Sequence, residues 1–239
     1  MLYWLKPFGY SPPKLKEYSK DGVEVASSNN VWTLSVNGER WLVYNFLTHN
    51  SAYEVFSHYY LAKGHCICTG LGFGAREDWI LNKPGVTKLT VIEKSKEVID
   101  YHRYIKSPFL DHIELIHGDA SEYVGKCDTL LLDHYEFEYL DEYEYLRGIR
   151  KIMYNIECST LWFWPLETLL LNHGVYNLGN PKERYDWYRA KHRLHKLPDL
   201  ESDEIFQFCY GFMTSNLINA AIHNKPQKKH TDPDYTGED

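Results

Sequence analysis

The chain has 239 residues and a formal net charge of −7, with 44% hydrophobic and 25% charged residues. This length and composition fit one large α/β domain with an ample core, and the negative charge disfavours a nucleic-acid partner, which needs clustered lysine and arginine. No run approaches the roughly 18–20 apolar residues of a membrane span, and residues 1–7 form too short an apolar run for a signal peptide, so we expect a cytoplasmic protein without a membrane partner.

The first 48 residues are predicted to form an arm followed by a β-hairpin region. Residues 1–22 contain prolines and several lysines, which favours an extended arm. Short runs that alternate between polar and apolar residues follow, and two turn sequences, 27–30 and Asn37-Gly38, separate them. The alternating runs lie at residues 23–25, 31–36 and 41–44.

Residues 49–223 are predicted to form a Rossmann-like domain of the α/β class. The domain opens with helical spacing over residues 49–61, and five short apolar runs then predict strands separated by crossover helices. The strands are expected near residues 65–69, 88–92, 113–117, 129–133 and 160–164. This alternation is typical of a doubly wound, mostly parallel sheet with helices on both faces, which places a ligand crevice at the carboxyl ends of the strands.

After residue 165 the pattern weakens. A proline in the first turn predicts a helix that begins at Pro181, and the apolar run at 205–210 predicts a late strand. The polar, proline-containing residues 224–239 predict a disordered tail. The five cysteines have no C-x-x-C spacing, so we expect neither a disulfide framework nor a metal site, and Cys66 and Cys68 are interpreted as small core residues.

A glycine-rich turn is the most informative motif. The apolar run at 65–69 breaks into Gly70-Leu71-Gly72-Phe73-Gly74, which indicates a buried strand that turns tightly into a helix and lets a ligand approach bare backbone. Glu93 ends the next strand nineteen residues after Gly74, where doubly wound folds bind a ribose through its hydroxyls. With Ala75, the turn fits the G-x-G-x-x-G/A dinucleotide fingerprint and equally a G-x-G-x-G loop.

The ends of two later strands favour the G-x-G-x-G loop over the dinucleotide fingerprint. The strand at 113–117 leads into Gly118-Asp119-Ala120, and the strand at 129–133 ends in Asp133. Together with the glycine loop, these motifs resemble the class I S-adenosylmethionine-dependent methyltransferases. The order of elements over roughly residues 30–165 is similar to the spermidine synthase branch of that superfamily.

The resemblance implies S-adenosylmethionine as the cofactor and a role for each motif. Amides of the loop and the positive end of the following helix would face the methionine carboxylate. Glu93 would accept from the ribose hydroxyls, Asp119 from the adenine amine, and Asp133 would face the sulfonium. The implied cofactor-binding residues are Gly70, Leu71, Gly72, Gly74, Glu93, Asp119, Ala120 and Asp133.

The sequence also departs from the aminopropyltransferases of that branch. Their Gly-Gly-Gly-Asp-Gly-Gly loop is replaced, their catalytic segment is replaced by Asp133-His134-Tyr135-Glu136, and Cys68 stands where the loop motif usually has an acid. We therefore favour a methyltransferase that acts on a small-molecule acceptor, with amines among the candidate acceptors. The alternatives are a spermidine synthase-like aminopropyltransferase and a non-catalytic nucleoside-binding interaction protein.

An acidic segment at residues 133–144 carries six acids and no lysine or arginine. If the segment is functional, it lines the entrance of the active site and attracts a small cationic or neutral acceptor, and Asp133, His134 and Glu136 are the candidate catalytic groups. If the segment is only structural, it is the solvent-exposed first turn of a helix, where acidic residues are favourable. Asp119 has a similar structural alternative, as the N-cap of a helix, and His102 and His117 are expected at the surface or at strand ends.

Overall fold

The computed structural model describes residues 10, 12–45, 55–133, 141–175 and 180–211. Two of the candidate catalytic residues, His134 and Glu136, lie outside these ranges, as does the tail predicted at 224–239. Among the helices of the described residues, none has both the length and the hydrophobicity needed to cross a bilayer.

A four-stranded antiparallel sheet occupies the N-terminal region. Its strands are β1 (Tyr18–Lys20), β2 (Val23–Ser28), β3 (Val31–Val36) and β4 (Glu39–Asn45), paired in sequence order. Alternate residues such as Val25 and its partner Leu34 are buried, which confirms the predicted hairpins. The extended arm predicted over residues 1–22 is wrong at β1, because that polar segment pairs with β2 and the Tyr18 ring packs on Tyr101.

A five-stranded, wholly parallel sheet forms the centre of the second region. Its strands are β5 (Gly64–Thr69), β6 (Val86–Glu93), β7 (Glu114–His117), β9 (Thr129–Asp133) and β11 (Thr160–Trp164), in the spatial order β11-β9-β5-β6-β7. The chain starts in the middle, runs to one edge and then returns to the other, so the order reverses between β5 and β9. This is the Rossmann-like doubly wound arrangement that the sequence predicts.

Helices connect most of these strands. They are α1 (Phe56–Leu61), α2 (Ala75–Leu81), α3 (Lys96–Ile105), α4 (Glu142–Asn155), α5 (Leu166–Asn172) and α6 (Pro181–Lys191). The helix predicted from Pro181 is confirmed, and α1 confirms the part of the predicted 49–61 helix that lies within the described residues.

The connection between β7 and β9 contains turns where a crossover helix is expected. It also contains the two-residue strand β8 (Gly125–Lys126), which pairs with β10 (Ile156–Glu157). Residues 118–128 are too few to cross the sheet through a helix, since such crossovers need a dozen residues or more. The alternative of Asp119 as a helix N-cap is therefore wrong, because residues 120–122 form a turn.

The strand predicted at 205–210 is also wrong, because residues 202–211 form a helix, α7. Ile205, Phe208 and Cys209 are buried, while Phe206 and Tyr210 are about half exposed. Burial at positions i, i+3 and i+4 is the helical period. A short run made up almost entirely of apolar residues does not distinguish a strand from a helix that buries one face.

Candidate functional site

The carboxyl ends of β5, β9 and β11 border a cleft that also touches strand β4. The glycine loop forms one wall, and Asp133 and Trp164 lie at the ends of the neighbouring strands. The residues that line the cleft are Leu42, Val43, Tyr44, Val55, Leu71, Gly72, Phe73, Gly74, Ala75, Arg76, Glu77, Asp133 and Trp164. The predicted crevice at the strand ends is therefore present.

The glycine loop is held in a conformation that side chains disfavour. Gly70, Gly72 and Gly74 have φ angles of 74°, 49° and 73°. A Cβ atom at Gly74 would lie 2.3 Å from Cε1 of Phe109, and one at Gly70 would lie 3.1 Å from the carbonyl oxygen of Asp133. Packing inside the protein is therefore sufficient reason for glycine at these two positions. A ligand that approaches the loop would be a second reason.

Glu93 fastens the loop to the end of β6. Its side chain is buried, Oε2 accepts a hydrogen bond from the Leu71 amide at 2.6 Å, and Oε1 accepts one from the Ser95 amide at 2.6 Å. Burial raises the pKa of Glu93, and the two amide hydrogen bonds act in the opposite direction. The structure thus brings the predicted ribose acceptor into direct contact with the glycine loop, and each oxygen has a second lone pair.

Asp119 lies beside Glu93, and neither residue is among those that line the cleft. The Gly118 amide donates to the Glu93 carbonyl at 3.0 Å, which places the turn after β7 against the end of β6. Asp119 accepts from the Ser121 amide at 2.9 Å and pairs with Lys94 at 3.0 Å. The Ser121 amide, more than Lys94, lowers the pKa of Asp119 to about 2. The neighbouring Ala120 is half-buried and packs against the core.

Asp133 is the predicted site residue that faces the cleft from β9. Its backbone amide donates to the Thr69 hydroxyl at 2.9 Å, and its carboxylate lies 3.3 Å from Nη1 of Arg76. The remaining acids of the described segment have local partners. Asp141 caps α4 by accepting from the Glu144 amide, and Glu144 pairs with Arg147 at 2.6 Å.

Glu142, the third acid of this group, accepts hydrogen bonds from His173 and Tyr188. For residues 141–144 the structure therefore supports a capped helix start more than an open acidic mouth. The partners His173 and Tyr188 lie far from residues 133–144 in the sequence, which is why the segment itself gives no sign of them.

Arg76 is a buried cation that the sequence interpretation missed. Its Nη2 donates to the carbonyls of Thr69 at 3.0 Å and Gly70 at 2.6 Å, and its guanidinium also bonds Glu77. Burial acts to lower the pKa of Arg76, but the carboxylates of Glu77 and Asp133 outweigh it, so the pKa is raised and the group stays protonated. The available signal was the pair Arg76-Glu77, which is separated from Gly74 by one residue and comes just before the apolar residues Trp79 and Ile80.

His102 contacts the glycine loop from the protein interior, so the prediction that it lies at the surface is wrong. It is fully buried, with Nε2 at 2.8 Å from the Gly72 carbonyl and Nδ1 at 2.7 Å from the Ser107 hydroxyl. A carbonyl only accepts, so Nε2 carries the hydrogen. Burial lowers the pKa of His102 to about 4, which keeps the ring neutral. His117 does lie exposed at the end of β7, as predicted.

No family model matches the chain, and no curated protein matches it. Solved structures with a similar backbone include a spermidine synthase from Thermotoga maritima, at 16% identity and a TM-score of 0.43, covering 59% of this chain and 52% of that one. A spermidine synthase in complex with the transition-state analogue AdoDATO has 12% identity and a TM-score of 0.44, covering 63% and 57%.

The glycopeptide N-methyltransferase MtfA complexed with S-adenosyl-L-methionine has 20% identity and a TM-score of 0.35, covering 45% of this chain and 50% of that one. The chain thus spans about half the length of the solved structures it matches. At these identities the likeness concerns the fold alone.

Proposed function

We propose that this protein binds S-adenosylmethionine at the glycine loop and transfers its methyl group to a small-molecule acceptor. The observation that carries the proposal is the hydrogen bond between Glu93 and the Leu71 amide, which joins the proposed ribose-binding carboxylate to the glycine loop. Both groups lie at the carboxyl edge of the parallel sheet, beside the point where the strand order reverses.

The residues present fit the polar groups of this cofactor. Helix α2 follows its N-cap Gly74, which has no side chain to cap the first turn, and the positive end of this helix suits the methionine carboxylate. Glu93 would hold the ribose, Asp119 and Ala120 would lie on the adenine side, and Asp133 would lie on the transfer side. The cofactor supplies an activated methyl group, so the protein mainly aligns the acceptor and excludes water.

Arg76 bears on which donor the cleft would accept. Its buried guanidinium lines the cleft, but Glu77 and Asp133 pair with it there, so the preference for methyl over aminopropyl transfer rests on the departures of residues 69–74 and 133–136 from the aminopropyltransferase sequence. The same residue also supports a second candidate function, a nucleoside-binding protein without turnover. Arg76 already donates a hydrogen bond to the Gly70 carbonyl and pairs with Asp133. These two oxygen-bearing groups are therefore less available to a cationic sulfonium or to the substrate that would receive the methyl group.

Calorimetry with S-adenosylmethionine, S-adenosylhomocysteine, decarboxylated S-adenosylmethionine and NAD tests the proposal. We expect the first two to bind and Glu93→Gln to weaken both, since a hydrogen bond to a charged group contributes about 1.5–3 kcal/mol, or roughly 10–150-fold in affinity. Glu157→Gln is the matched control, because Glu157 is exposed on β10. Binding of NAD alone, or an unchanged affinity in a folded Glu93→Gln variant, contradicts the proposal.

Turnover separates the enzyme from the binding protein. We expect release of S-adenosylhomocysteine with at least one member of a panel of amine, acid and phenol acceptors. The acceptor is proposed to be small and cationic or neutral and to enter past residues 133–144, so replacing Glu136 and Glu138 by glutamine raises the KM for a cationic acceptor without changing cofactor affinity. Tight cofactor binding without turnover across the panel favours the non-catalytic function.

A further inference from the structure

Three residues from the ends of separate helices meet at a point that is not part of the cleft lining. Glu142 is the first residue of α4, His173 follows the last residue of α5, and His192 follows the last residue of α6. One ligand atom from each residue lies within 4.8 Å of the other two. We propose that these residues bind a Zn²⁺ ion, a site distinct from the proposed cofactor cleft and independent of the proposed function.

The distances from Glu142 to the two histidines are close to those between the ligands of such an ion. Nε2 of His173 lies 2.9 Å from both carboxylate oxygens of Glu142, and Nε2 of His192 lies 3.6 Å from Oε1. Ligand atoms around a tetrahedral zinc, each about 2.0–2.2 Å from the metal, are about 3.4 Å apart. The separations from Glu142 are thus within a few tenths of an ångström of this value, and the third separation lies within 4.8 Å.

His192 supplies an independent indication of a ligand. Its Nε2 is buried and has no hydrogen-bond partner among the described residues, since Glu142 at 3.6 Å lies beyond hydrogen-bonding distance. Buried ring nitrogens normally have a partner, and a metal bond satisfies this one. Tyr188 donates a hydrogen bond to Oε1 of Glu142 at 2.9 Å. Residues that bind a metal are commonly held in orientation by such a hydrogen bond.

The ligand set favours zinc over other common cations. Two imidazoles and one carboxylate suit Zn²⁺, whereas Mg²⁺ and Ca²⁺ prefer oxygen ligands alone. Three protein ligands leave one coordination position for water or another small ligand. Arg150 donates to the His192 carbonyl at 3.4 Å, and Lys191 precedes His192, so positive charge beside the cluster moderates the affinity for a cation.

Titration of the chelator-treated full chain with Zn²⁺, followed by calorimetry, tests the site, and Co²⁺ serves as the spectroscopic probe. We expect one tightly bound ion per chain and the visible absorption bands of tetrahedral Co²⁺. His173→Ala and His192→Ala should each weaken Zn²⁺ binding by at least about tenfold. His117→Ala, which removes an exposed histidine outside the cluster, should bind as the wild type does.

X-ray absorption of the wild-type zinc complex keeps the test independent of whether the variants fold. Two imidazole nitrogens with additional oxygen ligands support the proposal. Sulfur in the first shell, no binding at micromolar Zn²⁺, or equal affinities in all three variants and the wild type overturns it.

Discussion

Gly74→Ala is expected to destabilise the protein through one identifiable contact. Gly74 has a φ of 73°, and an added Cβ would lie 2.3 Å and 2.4 Å from Cε1 and Cζ of the Phe109 ring. Nonbonded carbon atoms normally stay about 3.5–4.0 Å apart. The ring belongs to the 3₁₀ turn Pro108–His112 and contacts His102, so it has little room to withdraw.

Two separate costs contribute to the expected loss of stability. An L-residue in the left-handed region costs roughly 1–2 kcal/mol, and overpacking against a fixed ring costs about 1–3 kcal/mol more. The free energy of unfolding should therefore fall by about 2–5 kcal/mol. For a chain of this size each kcal/mol lowers the Tm by roughly 2–4 °C.

Calorimetric melting of three glycine variants separates the two costs. Gly85 has a φ of 91° but nothing within 4 Å of its added Cβ, so Gly85→Ala measures the backbone cost alone. Gly118 has no neighbour within 4 Å and no left-handed φ, so Gly118→Ala should be close to neutral. If Gly74→Ala loses no more stability than Gly85→Ala, the Phe109 contact is refuted.

Two further predictions concern buried ionisable side chains near the glycine loop. The pKa of His102 is lowered to about 4 from 6.5, so the unfolded chain binds the proton first as the pH falls. The stability that His102 contributes is therefore complete above pH 6.5 and decreases from there to about pH 4, and His102→Gln should flatten that part of the urea-unfolding pH profile by about 3 kcal/mol. Arg76→Met should cost about 3–5 kcal/mol in urea unfolding, because Glu77 is left buried without its partner. The double variant Arg76→Met/Glu77→Met should regain much of that loss.

Each of these predictions has an outcome that contradicts it. A pH profile for His102→Gln parallel to that of the wild type means that His102 takes up its proton normally in the folded state. A double variant that loses the sum of the two single costs means that Arg76 and Glu77 do not stabilise each other.

Local sequence patterns were sufficient to predict the parallel sheet and the position of the crevice. Short apolar runs bounded by polar residues located all five central strands, and the ends of those strands placed Gly70, Glu93 and Asp133 at one edge of the sheet. This inference succeeds because parallel strands repeat regularly, so residues at successive carboxyl ends share one edge of the sheet. The contact between Glu93 and Leu71 follows directly from that regularity.

Features that depend on contacts between distant segments became visible only in the three-dimensional packing of the chain. Residues 205–210 are helical because three of their side chains face the core at helical spacing, which a short apolar run does not specify. Arg76 and His102 are buried, although their residue types usually lie at the surface, because carbonyls of the glycine loop accept their hydrogens. Glu142 and His192 are fifty residues apart in the sequence and meet only because α4 and α6 pack together. Local sequence carries the period of a strand or a helix, whereas the partner of a buried polar group is set by the packing of the whole chain.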